Sequence, residues 1–389
     1  MLTVIVFILI VGVLIFVHEL GHFLTARKNG IRVSEFGFGF PPRIIGFQFM
    51  SGQKKTKKWR LIWGKHDGDD ENEKVDLEEA RENQETGGTI YSLNWIPLGG
   101  FVKIKGENGD AKEDLDSFAA KSAWTRIKVL IAGVLMNFLL AWFLISFGLM
   151  LGAPESIESN QSNPSSKIKI SEVVVDSPAN LMGLKVGDEI LKNEIFENLE
   201  DVQNYINVNK GKEITLYIKR GNTLLNFTGM PRENAPAGQG LLGIGLTEIS
   251  IIKYSFFEAV WKGLIVTVNL ILTMILSIYG VLKNLLFTQK AVVEIAGPLG
   301  IAILTKQVTE LGLVYIIQFA AILSVNLGII NALPFPALDG GRILFILIEK
   351  VKGSPISQKT EQMFHTIGFI LLITLMIFIT FKDVTKFFK

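Results

Sequence analysis

The sequence predicts an α-helical polytopic membrane protein with about four transmembrane helices, a β-loop that re-enters the membrane and one inserted β-rich domain. Three observations predict it. Of 389 residues, 49% are hydrophobic, and mean hydropathy is +0.37. The apolar residues gather in uncharged runs that reach the roughly 20 residues a bilayer crossing needs. Between these runs lie polar stretches too patterned to be linkers alone. A net charge of +2 gives no argument for nucleic acid. The absence of cysteine excludes disulfides and thiolate metal sites, so any zinc must be held by His, Asp or Glu.

Residues 1–26 form the first expected span. No side-chain charge precedes His18, whereas Arg27, Lys28 and Arg32 follow, which places the N-terminus outside and the next loop in the cytoplasm. With no basic region before it and no small-residue cleavage site, the run reads as a retained span and not a cleaved signal. Residues 27–123 are read as that cytoplasmic loop. Within it, Ile31 to Phe49 is rich in Gly, Phe and Pro and suits short extended segments with turns. Ser51 to Glu85 is a charged, solvated insertion with a short helix expected around Asp76 to Asn83, and His66 is taken as exposed there. Gly87 to Lys105 is strand-like and unusually apolar for a cytoplasmic loop, as expected of a hairpin that dips into the membrane.

Residues 124–151 form the second span, interrupted only by the amide of Asn137, with Gly133 one turn earlier allowing close helix approach. Residues 156–232 change to short strands around one helix, Leu199 to Asn207. Residues 251–312 are ambiguous: Leu264 to Leu286 is apolar enough to cross, but Lys262, Lys283 and several Ser, Thr and Asn also suit a helix at the interface. Residues 313–348 are a third span, broken at Leu333-Pro334-Phe335-Pro336. Residues 364–382 are a fourth, with His365 at its start read as interfacial.

The chemistry concentrates in the first span. His18-Glu19-Leu20-Gly21-His22 is an H-E-x-x-H motif. On a helix its histidines lie one turn apart on one face, where one zinc ion takes both, with Glu19 beside them as general base. Ionisable residues inside a membrane span are costly and point to function. Two of the four histidines in the chain fall in this motif. Catalytic zinc usually has three protein ligands and an open position. Asp339, a carboxylate in an apolar segment just past the Pro-broken turn, fits the vacancy. Asn331, eight residues upstream, is placed to bond a substrate backbone.

Two resemblances follow from these residues. The order V-x-x-x-S-P-A-x-x-x-G-L-K-x-G-D, from Val173 to Asp188, resembles a PDZ domain, and one copy is present. HELGH, the N-x-x-P-x-P-x-L-D-G-G run from Asn331 to Gly341 and the PDZ-like insert together resemble the site-2 protease family of intramembrane zinc proteases, in its PDZ-containing bacterial regulator-of-sigma-E branch. The likeness includes Ile96 to Lys103, similar to that family's re-entrant β-loop, Gly297 to Ala302, and Gly133 to Asn137 as a Gly-x-x-x-Asn element. It implies one Zn²⁺ per chain at His18, His22 and Asp339, with Glu19 as base. It implies substrate contact by Asn331, Asn137, Pro334, Pro336, Gly99, Gly100 and Phe101. The implied partners are the lipid bilayer, single-span membrane proteins such as anti-sigma factors or leftover signal peptides, and a peptide or substrate ectodomain at the PDZ-like module. The implied location is a bacterial cytoplasmic membrane, with the N-terminus and that module extracytoplasmic.

The metal site also constrains topology. For His18 and Asp339 to meet at one depth, the first and third spans must run the same way, so residues 264–286 should not complete a crossing. Two other classes compete with a protease. A zinc or ion transporter should show repeated halves, and none is present. A catalytically inactive PDZ-bearing scaffold has no need of Glu19.

Overall fold

The computed structural model describes residues 2–51, 57–64, 87–156, 166–192, 196–221, 223–236, 238–287, 297–354 and 356–387. His66 and the helix expected around Asp76 to Asn83 lie outside these residues, as does most of the charged insertion. The chain divides into two compact units, one of residues 1–148 with 257–389 and one of residues 149–256.

In the first unit, α1 (Leu2–Lys28) is a single apolar helix. Its 27 residues span about 40 Å at 1.5 Å each, enough for a hydrocarbon core of about 30 Å. It stops at Asn29-Gly30, where Gly30 turns left-handed (φ 64°) and the Ile31 N–H donates back to the Ala26 carbonyl. α2 (Ala123–Leu151) packs on it through small residues. A Cβ added at Gly21 would meet the Ala132 carbonyl oxygen at 2.3 Å, so only glycine lets the two backbones approach this closely.

Strands β1 (Val33–Ser51), β2 (Lys57–Trp63) and β3 (Gly87–Ile104) form one sheet in the order β2-β1-β3. The short segments expected over Ile31 to Phe49 are instead one long strand that folds back on itself. Gly37 pairs with both Phe101 and Ser92, so the limbs of β1 and β3 interleave. A buried bidentate ion pair, Arg43 Nε and Nη2 to Glu35 at 3.1 and 2.8 Å, ties the two limbs of β1 together. Such a pair is tolerated in the interior because its geometry satisfies both charges. Phe36 docks the sheet on α1, stacked on Phe23 at 4.6 Å and tilted against Phe16 at 5.1 Å.

The remaining helices are α5 (Phe256–Phe287), α6 (Pro298–Leu311), α7 (Leu313–Ala332), α8 (Asp339–Lys352) and α9 (Gln358–Phe387). The expected third span is thus two helices. α7 ends where Leu333 turns extended (φ −63°, ψ 140°), because the residue before a proline is driven out of helical geometry. α8 begins at Asp339. The Gly297-Pro298 start of α6 is capped from the last helix: Asp383 Oδ2 accepts from the N–H groups of Gly297 and Gly300 at 3.0 and 2.9 Å. Among the described residues, five helices, α1, α2, α5, α7 and α9, are long and apolar enough to cross a membrane. Within the ambiguous region, α5 is one continuous helix of 32 residues, followed by the shorter α6.

The second unit is a six-stranded sheet ordered β4-β9-β5-β6-β7-β8, with α3 (Pro178–Met182) and α4 (Leu199–Val208). The strands are β4 (Ala153–Ser156), β5 (Lys167–Val173), β6 (Glu189–Ile190), β7 (Ile214–Arg220), β8 (Thr223–Gly229) and β9 (Ile244–Ile252). It extends past both expected ends, 156 and 232, because β9 pairs with β4 and β5 after a Gly- and Pro-rich stretch that reads as a terminus in sequence. The S-P-A segment starts α3, with the Ser177 hydroxyl accepting from the Asn180 N–H. In the G-L-K-x-G-D turn, Asp188 accepts from the Lys185 N–H and, bidentately, from Arg220. Ile168, Ile170, Ile190, Val202, Leu216 and Ile218 fill the core.

Candidate metal centre

α1 presents His18 and His22 on one face, their rings edge-on with centroids 4.7 Å apart. Both are buried, with 6% of each exposed. Their Nε2 atoms are 3.2 Å apart. Asp339, the first residue of α8, brings its Oδ2 to 3.0 Å from His18 Nε2 and 3.4 Å from His22 Nε2. Zinc–ligand bonds of about 2.0–2.1 Å at tetrahedral angles place ligand atoms about 3.3 Å apart. The three separations fit one face of that tetrahedron.

The hydrogen bonding supplies an independent test of fit. His22 Nδ1–H donates to the Val129 carbonyl at 2.8 Å, which fixes the tautomer and leaves a lone pair on Nε2. The Asn137 amide lies 3.2 Å from His18 Nδ1. Its oxygen is a buried acceptor with no partner among the described residues. A half-turn of the amide lets that oxygen accept the Nδ1–H and frees Nε2 of His18 in the same way. Asp339 Oδ2 is buried too, and its polar contacts among the described residues are the two imidazole Nε2 atoms. Two imidazole nitrogens and a carboxylate oxygen converging at these separations make a donor set that fits a cation. His18, His22 and Asp339 are the one such cluster among the described residues.

Glu19 lines a cavity of about 70 Å³ together with His22, Asp339 and Glu107. That is room enough for water beside both carboxylate and ligands. Glu107 pairs with Arg342, one turn after Asp339, and so ties the segment following β3 to α8. Within the turn from α7 to α8, a Cβ at Gly340 would meet the Ala332 oxygen at 2.3 Å and one at Gly341 the Phe335 oxygen at 2.2 Å. Both glycines let the turn fold tightly enough to carry Asp339 back to α1.

The structure brings His18, Glu19, His22, Asp339, Asn331 and Asn137 together. Asn331 Nδ2 lies 3.4 Å from His18 Nε2, beside the metal position. Asn137, expected to touch substrate, is fully buried, with its amide against His18. Pro336, also expected at substrate, turns its carbonyl toward Gly368 of α9. Pro334 is exposed. Gly99 and Gly100 pack on Ile15 and Phe16, close to one turn before His18, and Phe101 lies beside Gly37. Gly133 has a sharper role than helix contact. A Cβ there would sit 2.4 Å from His22 Nε2 and 2.8 Å from His18 Cε1. Gly133→Ala is therefore expected to push the imidazoles off the metal position and to lower the zinc content of the purified chain, measured by atomic absorption, with the chain still folded.

Sequence reasoning missed three contributors. The Val129 carbonyl carries no side-chain signal. The Glu107–Arg342 pair joins residues far apart in the chain. His365 accepts a backbone N–H from the turn that carries Asp339, at 2.8 Å; its only signal was to be one of four histidines.

A helical membrane protein with a buried H-E-x-x-H pair completed by an aspartate from a second, broken helical segment defines a membrane-embedded metallopeptidase. Comparison with known proteins agrees. The model of peptidase family M50, the site-2 proteases, matches residues 6–62 and 80–375. The chain is 30% identical over 433 residues to the regulator of sigma-W protease RasP of Bacillus subtilis, covering 99% of each chain. It is 30% identical over 432 residues to the zinc metalloprotease RasP of Geobacillus kaustophilus, covering 99% of this chain and 98% of the relative. The chain belongs to peptidase family M50 and is an intramembrane zinc metalloendopeptidase.

Proposed function

We propose that this peptidase hydrolyses a peptide bond within the transmembrane segment of single-span membrane proteins, with His18, His22 and Asp339 holding one zinc ion and Glu19 acting as base. The observation that carries the assignment is the convergence of two imidazole nitrogens and a carboxylate oxygen at metal-ligand spacing, with Glu19 beside them on a cavity with room for water. Zinc, when bound there, supplies a Lewis acid that polarises the scissile carbonyl and makes water more acidic. Glu19 takes the proton of the attacking water and delivers it to the leaving amine. Asn137 and Val129 hold the imidazoles in the tautomer and orientation that the metal needs. Asn331 holds the substrate backbone near the reacting carbonyl.

A transmembrane helix hides its peptide bonds, so the substrate must unwind locally. The limb of β3 from Gly100 to Ile104 lies at an edge of its sheet and meets α1 close to His18, which suits it to hold an unwound substrate by strand addition. The 149–256 unit is assigned as an extracytoplasmic PDZ-like module that binds a trimmed substrate end or excludes bulky ectodomains. The likeness to a relative named as a regulator of sigma-W protease favours anti-sigma factors as substrates, with remnant signal peptides as a second group.

The geometry of the site supports one topology. Ile10 and Leu14 of α1 pack with Ala320 of α7, and His18 meets Asn331 and Asp339 beyond, so the two helices run the same way. Crossings between α2 and α7 must therefore be even in number, and α6, at 14 residues, is about 21 Å long and too short to be one. Despite its length, α5 is then an interfacial or re-entrant helix, leaving four complete crossings. Because the chain has no cysteine, a single Lys290→Cys substitution reports cleanly. Labelling of that thiol by an impermeant maleimide from outside the cell is expected, and protection outside with labelling only after lysis would overturn this topology.

A further inference from the structure

We infer that the last helix, α9, is part of the peptidase site, with His365 a positioning residue for the turn that carries Asp339. The inference rests on the assignment of Asp339 as a metal ligand. The turn between α7 and α8 is held in an unusual shape: Ala337, two residues before Asp339, has φ 79°, left-handed backbone that a residue with a Cβ rarely adopts. Such a conformation persists only where the surroundings impose it. Other N–H groups of the turn are satisfied within it, Phe335 N–H on the Leu333 carbonyl and Leu338 N–H on the Phe335 carbonyl. The Ala337 N–H instead donates 2.8 Å to Nδ1 of His365, from a different helix. With Nδ1 accepting, the ring proton is on Nε2, which faces Glu361 Oε1 at 3.9 Å, one turn earlier on α9.

A second contact clamps the same turn. Gly368 follows His365 by three residues, on the same face of α9. A Cβ there would meet the Pro336 carbonyl oxygen at 2.5 Å. His365 thus fixes the amide after Pro336 while Gly368 lets α9 close on Pro336 itself. Tilting of the Ala337 peptide is transmitted through Leu338 to the Asp339 carboxylate, whose Oδ2 sits 3.0 Å from its first histidine partner.

The test uses the full chain purified in detergent, with zinc affinity from chelator competition, kcat and KM on a single-span reporter, and thermal unfolding as the check of folding. His365→Phe keeps a ring against Phe345, 5.5 Å away, and removes the acceptor. His365→Asn keeps an acceptor near the Nδ1 position. The Phe variant is expected to bind zinc about ten- to a hundredfold more weakly, as loss of an outer partner of a metal site does. Its kcat on zinc-saturated enzyme should fall while KM stays near wild type, and the Asn variant should recover most of both. Wild-type zinc affinity and kcat in the Phe variant would overturn the inference, as would equal damage in both variants. If His365→Phe fails to fold, Gly368→Ala decides: it displaces Pro336 without touching the histidine, and must weaken zinc binding for the inference to stand. Failure of the assignment beneath it reads differently, as a wild-type chain that retains no zinc.

Discussion

Glu19→Gln is expected to lower cleavage of a co-expressed single-span reporter by about 10²–10⁴-fold, the range for loss of a positioned general base. The zinc content of the purified chain should stay at one per molecule. The substitution is nearly isosteric, and Glu19 is not one of the three convergent ligand atoms. The carboxylate faces the water-sized cavity, so its removal takes away the proton acceptor and leaves the metal face intact. A transporter would be indifferent to this change in a cleavage assay, and an inactive scaffold would show no cleavage to lose. Unchanged cleavage in the Glu19→Gln chain would remove the catalytic assignment.

Asp339→Asn is expected to act on the metal itself. The amide keeps the shape of the carboxylate but forfeits the charge, and it can present an N–H to two histidine lone pairs 3.0 and 3.4 Å away. Zinc affinity should fall by more than the roughly 10–100-fold that loss of an outer partner costs, and cleavage should fall with it. This differs in kind from Glu19→Gln: there activity is lost with zinc present, here both are lost together. Zinc retained at one per chain in the Asn variant would show that the third ligand lies elsewhere.

The peptidase site is largely legible in the sequence because its parts obey local rules. His18 and His22 share a helix face by spacing alone, and Asp339 stands out as a carboxylate beside a Pro-broken apolar run. Non-local features are less legible. β1 and β3 fold back and interleave, a pairing set by long-range register that the Gly- and Pro-rich pattern of Ile31 to Phe49 does not encode. The closing strand β9 follows a stretch that reads as a domain end, and only its pairing with β4 and β5 shows otherwise. Asn137 carried an ambiguous signal, since an amide in a span serves packing, substrate or a ligand ring equally well until its neighbour is known. His365 reads as interfacial in sequence because nothing in its own segment reveals a partner 28 residues earlier, in the turn between α7 and α8.

The central claim is that water is added across a peptide bond inside a transmembrane segment at the His18, His22 and Asp339 site. It is tested most directly by intact mass spectrometry of the products of a single-span reporter, incubated with the purified full-length chain in oxygen-isotope-labelled water. Two fragments are predicted whose masses place the cut within the apolar segment, the upstream one carrying the label at its new carboxyl terminus, and neither formed by the Glu19→Gln chain. An uncut reporter, a cut confined to the soluble flanks, or the same fragments from the Glu19→Gln chain would contradict the account.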